Sequence, residues 1–71
     1  MSRGDLIPLE GVVTDARGGV FTVKTDTGMV VGAKLSGRMR NYRIRVVVGD
    51  RVQVSVSPYD PTHGLITYRA K

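Results

Sequence analysis

Valines 52, 54 and 56 alternate with Gln53, Ser55 and Ser57 in the stretch Arg51 to Ser57 (RVQVSVS). A period of two puts the three valines on one face and the polar residues on the other, the pattern of a half-buried strand. Four weaker runs join it: Leu9 to Asp15 (LEGVVTD), Val20 to Thr25 (VFTVKT), Met29 to Leu35 (MVVGAKL) and Gly64 to Arg69 (GLITYR). Turn chemistry separates them. Gly18 and Gly19 precede the second run, Thr25-Asp26-Thr27-Gly28 suits a tight hairpin, and Pro58-Tyr59-Asp60-Pro61 reads as a loop before the last. Gly11, early in the first run, predicts a bulge or a sharp bend.

Ser36 to Tyr42 (SGRMRNY) breaks the strand rhythm. At 100° per residue Leu35, Met39 and Tyr42 gather on one side, with Arg40 pointing away and Arg38 and Arg43 flanking the stripe. The segment is expected to form a short helix that plugs the core with Leu35, Met39 and Tyr42, its helicity coming from packing. Three strands, a helix and two strands without long crossovers predict an all-β fold. The expected architecture is a five-stranded OB-fold antiparallel barrel with a short helix between strands 3 and 4. Closure would remove the edges through which a valine-rich sheet aggregates. An SH3-like barrel is the structural alternative, but it does not call for that helix.

Seventy-one residues suit a single OB-fold domain, 1–71, with about residues 1–6 expected as a flexible lead-in. There is no cysteine, so neither disulfides nor a thiolate zinc site is expected. The opening MSRGDLIPLE lacks the apolar run of a secretory signal, and no stretch approaches the length of a membrane span. A cytoplasmic, monomeric protein without membrane association is expected.

Charge sharpens the picture. Lys34, Arg38, Arg40, Arg43, Arg45 and Arg51 stand against Asp50 alone in residues 34–51, whereas the rest of the chain balances five cations with five acids. The whole net charge of +5 therefore lies in one segment. A dense positive surface attracts polyanions, nucleic acid foremost, and eight arginines against three lysines favour phosphate recognition by planar guanidinium groups. Phe21, Tyr42, Tyr59 and Tyr68 are candidate stacking platforms. Phe21 alternates with Val23 and is expected in the core, while Tyr68 alternates with Ile66 and is as readily buried as exposed. Catalysis finds little support. His63, the single histidine, is expected in a loop without a carboxylate partner, and Asp15, Asp26, Asp50 and Asp60 sit where aspartate serves turns. No enzyme activity, cofactor or metal is expected.

Several motifs resemble bacterial translation initiation factor one: SGRMR (Ser36 to Arg40), Ile44-Arg45, GDRVQV (Gly49 to Val54), SPYD (Ser57 to Asp60) and the ending GLITYRAK. The resemblance spans essentially the whole chain, EGVV and the Gly28 hairpin included. It implies an OB-fold protein that binds the small ribosomal subunit at the aminoacyl site. The implied contacts are rRNA of the decoding region and a neighbouring ribosomal protein. It also implies cooperation with the other two bacterial initiation factors in selecting the start-site tRNA. Carried onto this chain, the implied rRNA contacts are Arg38, Arg40, Arg45 and Arg69, with Lys34, Arg17, Tyr42 and Arg43 beside them. Lys34 stands where the family often has histidine. Arg43 stands where tyrosine is frequent, and His63 and Leu65 where basic residues are. Two other readings stay open: a general RNA-binding or RNA-chaperone OB domain, and a protein-interaction barrel that binds no RNA.

Overall fold

The computed structural model of the chain describes residues 6–70. Of the lead-in expected at residues 1–6, all but Leu6 lies outside the described residues. Five strands, β1 (Ile7–Arg17), β2 (Val20–Thr25), β3 (Val30–Leu35), β4 (Arg51–Ser57) and β5 (Asp60–Ala70), close into a barrel in the order β1-β2-β3-β5-β4. The helix α1 (Gly37–Asn41) stands between β3 and β4. The expected architecture is thus present, with β1 and β5 longer than the hydrophobic pattern suggests. A ring of five strands cannot alternate direction all the way round. The odd pair falls between β3 and β5, which run parallel over Gly32 to Leu35 and His63 to Ile66.

Valine fills the barrel. Val13, Val23, Val31, Val52, Val54 and Val56 are buried with Ala33 and Ile66, and Met39 and Val46 close it from the helix side. Leu9, Phe21, Leu35 and Ile44 pack against this core from its margins. Buried β-branched side chains with few rotamers give a small domain a well-defined interior. Two glycines make the closure possible. Gly11 pairs with Thr25 on one side and Val52 on the other, and a Cβ there would stand 2.7 Å from the Thr25 Cα. Gly64 pairs with Ala33 and Val56, where a Cβ would meet the Ser55 carbonyl oxygen at 2.6 Å. At both corners a strand changes partners, so backbones approach more closely than a side chain allows. The irregularity expected near Gly11 is there, displaced three residues. Register shifts between Val13 and Asp15, leaving Thr14 outside the pairing with its hydroxyl donating to the Thr22 carbonyl at 3.3 Å.

The helix is short and fully capped. Ser36, at φ −68° and ψ 164°, accepts a hydrogen bond from the Met39 N–H on its hydroxyl at 3.3 Å. Its own N–H donates to the Ile66 carbonyl at 3.0 Å, which pins the helix start to β5. Met39 is 1% exposed, as its place in the predicted stripe requires, and Leu35 is half-buried. Tyr42 departs from that stripe. It is 70% exposed, because the helix ends at Asn41 and the chain turns at Arg43, giving the core contact to Ile44 instead.

Candidate nucleic-acid interface

Arg38 and Arg40 flank the buried Met39 on helix α1, and both are exposed. Lys34, outward on β3, meets Arg40 at the edge of a groove of about 420 Å³. The Gly18-Gly19 turn, Phe21, Leu35 and Leu65 form the rest of its wall. Lys34 also borders a second groove of about 450 Å³ with Val20, Gly32, His63 and Gly64. Across the helix, Arg38 shares a third depression of about 380 Å³ with Met39, Tyr42, Ile44, Thr67 and Tyr68. Arg69, near the end of β5, donates from its Nη1 to the Arg45 carbonyl at 2.6 Å and so ties the segment after α1 to the barrel. That bond uses the Arg45 backbone and leaves its exposed side chain free of it.

Not every cation contributes to this surface. Arg51 lies between two acids, with its Nη2 3.2 Å from Glu10 Oε1 and 2.5 Å from Asp26 Oδ2. The hydrogen bond to Asp26 is the main reason its pKa is raised, with Asp26's charge and Glu10 adding to it. The sequence segment that holds the net charge therefore loses one member to a structural cluster joining β1, β4 and the β2–β3 turn. Arg17, at the end of β1, is paired with Asp15 at 3.0 Å. Among the described residues, Lys34, Arg38, Arg40, Arg43 and Arg45 make no ion pair. Cations left unneutralised in and beside one short helix set up a positive field that a polyanion meets.

A family model described as translation initiation factor 1A / IF-1 matches residues 6–71. The chain belongs to that family. Among solved structures it is 36% identical to translation initiation factor one from the Wolbachia endosymbiont strain TRS of Brugia malayi. That match has a TM-score of 0.79 and covers 94% of this chain and 80% of that one. It is also similar to YjeQ from Thermotoga maritima, 27% identical with a TM-score of 0.75, where 92% of this chain matches 23% of that one. The family match and the barrel agree on the OB fold.

Set on this family's barrel, the residues implied by the resemblance to initiation factor one divide into groups. Lys34 and Arg40 come together at the first groove, and Arg38 and Tyr42 at the third. Arg45 and Arg69 meet through a backbone carbonyl. Arg17 stands apart in its pair with Asp15. Arg43 is exposed at the helix end and lines none of the three grooves. Phe21 proves to be half-buried, a wall of the groove as well as a flank of the core.

Tyr68, which the sequence leaves open between core and surface, is placed by its register, and His63 differs from expectation. Tyr68 faces out, 59% exposed, because Gln53 pairs with Tyr68 and Val54 with Ile66, so Thr67 is an extra residue that flips the face. His63 belongs to β5 rather than a loop and has a carboxylate partner, its Nδ1 lying 3.1 Å from Asp60 Oδ2. The Thr62 hydroxyl, 2.6 Å from Asp60 Oδ1, is the larger cause holding the Asp60 carboxyl below its ordinary range, with His63 second. Asp50 does serve a turn, accepting from the Val47 N–H at 2.9 Å. Among the described residues no helix is long and apolar enough to cross a membrane.

Proposed function

We propose that this member of the initiation factor family binds the small ribosomal subunit at the aminoacyl site through rRNA of the decoding region. There it assists the other two bacterial initiation factors in selecting the start-site tRNA. The observation that carries the reading is the convergence of Lys34 and Arg40 on one groove beside Phe21 and the Gly18-Gly19 turn, with Arg38 and Tyr42 across the helix. On an OB barrel the face of the second and third strands and the adjoining first loop is the common place for oligonucleotides. Here β2 gives Phe21, β3 gives Lys34, and the β1–β2 turn gives the glycine rim.

Each part has a task that follows from its chemistry. Exposed guanidinium groups take phosphates in bidentate fashion and fix the register of the barrel on the RNA. The aromatic faces of Tyr42 and Tyr68, both largely exposed, suit an unstacked base, and Phe21 offers its edge at the groove. The glycine turn lets RNA backbone approach without side-chain obstruction. Such a protein acts by occupying a site in the cytoplasm as a monomer; binding and exclusion suffice, and no catalytic step is involved.

Binding to purified small subunits should then depend steeply on salt. With about four to five phosphates neutralised, the logarithm of the affinity should fall against the logarithm of salt with a slope of roughly −3 to −5. A flat dependence would contradict the reading. Equal affinity for unrelated single-stranded RNA would favour a general RNA-binding barrel instead.

A further inference from the structure

The turn that ends α1 is a complete glycine-type helix stop with an arginine in the glycine position. The Ile44 N–H donates to the Met39 carbonyl at 3.0 Å and the Arg43 N–H to the Arg40 carbonyl at 3.1 Å. These are the two bonds of a Schellman motif, whose residue after the C-cap takes the left-handed conformation. That residue is Arg43, at φ 54°. Among the described residues the other positive-φ positions are Gly18, Gly19, Gly28 and Gly49. An L side chain in this region crowds the backbone, and glycine relieves the crowding.

Two hydrogen bonds hold the turn, but nothing within the described chain accounts for an arginine there in place of glycine. Arg17, Arg51 and Arg69 each have a partner, whereas the Arg43 guanidinium makes no hydrogen bond or ion pair among the described residues. The turn does not need an arginine either, since Ile44 supplies its apolar contact by packing on the core. Attraction to the helix dipole is a weak reason, because Arg38 and Arg40 already place cations in the last turn of a five-residue helix. Strained backbone persists where the surrounding structure holds it, as the two hydrogen bonds of this turn do, and such residues cluster at functional sites.

We infer that Arg43 is kept in this strained conformation to contact a phosphate of the bound RNA, so that stability is given up for affinity at this one position. The inference rests on the RNA-binding reading above and adds to it a residue outside all three grooves. It places the edge of the interface at the helix stop, with exposed Tyr42 before it and exposed Arg45 two residues beyond.

Three variants separate strain from charge: Arg43→Gly, Arg43→Ala and Arg43→Lys, measured by thermal unfolding and by binding to purified small subunits across a salt series. Arg43→Gly should melt higher than the parent by roughly 3–8 °C. It should bind about three- to tenfold more weakly, with a salt slope shallower by about 1. Arg43→Ala should lose the same affinity without the gain in melting temperature. Arg43→Lys, which keeps both the charge and the crowding, should stay near the parent in slope and melting. An Arg43→Gly variant that binds like the parent, or that melts no higher than Arg43→Ala, would overturn the inference while leaving the ribosomal reading intact. A parent protein that does not bind small subunits at all would overturn both.

Discussion

Val54→Asp should leave the chain largely unfolded at room temperature, while Gln53→Asp should remain folded. Val54 is 0% exposed and sits at the middle of β4, paired with Leu9 of β1 and Ile66 of β5. A carboxylate placed there finds no hydrogen-bonding partner, and burying it costs several kcal/mol. A domain of this length has only about 4–10 kcal/mol of stability, so the substitution removes most of it. Gln53 is half-buried on the outer face, where an acid keeps access to water. Far-ultraviolet circular dichroism with thermal melting reads both variants. The reverse outcome, a stable Val54→Asp and an unfolded Gln53→Asp, would mean that β4 is threaded with its other face inward.

Arg40→Ala combined with Arg45→Ala should weaken binding to the small subunit by roughly thirtyfold, taking about 1 kcal/mol for each screened phosphate contact. Stability should hardly change, since both side chains are exposed and neither makes an ion pair among the described residues. The Arg69 clamp survives as well, because it uses the Arg45 carbonyl, which alanine retains. Lys24→Ala is the control for losing one positive charge. Lys24 lies outward on β2 between Val12 of β1 and Val30 of β3, away from all three grooves. Equal losses from the control and from one of the arginines would show that only overall charge matters, which contradicts a specific surface built around α1.

Period-two alternation carried most of the fold. Val52, Val54 and Val56 fall inward as their spacing requires, and Met39 enters the core from a helix only five residues long. What the spacing could not reveal comes from register and from chain reversal. Tyr68 shares a parity with Ile66, yet one extra residue at Thr67 sends it outward. Tyr42 belongs to the helical stripe only if the helix continues, and the left-handed turn at Arg43 ends it. No periodicity signals a non-glycine residue at positive φ.

Charge was legible in part. The sum over residues 34–51 singles out the segment that holds α1, and Lys34, Arg38 and Arg40 do assemble around that helix. Arg51 could not be separated from them by composition, because its partners Glu10 and Asp26 come from β1 and the β2–β3 turn, brought beside it only by barrel closure. The same closure gives the groove its glycine rim and its Leu65 wall, residues without a chemical signature of their own. His63 and Asp60 meet because β5 begins at Asp60, directly after the turn, where the proline-flanked sequence suggested a longer loop.

Whether this barrel occupies the aminoacyl site is decided by competition on the ribosome. Labelled protein is bound to vacant, purified small subunits, and a ligand that fills the aminoacyl site is titrated in. The protein should be displaced in step with occupancy of that site. Binding undiminished when the aminoacyl site is full would contradict the proposed function.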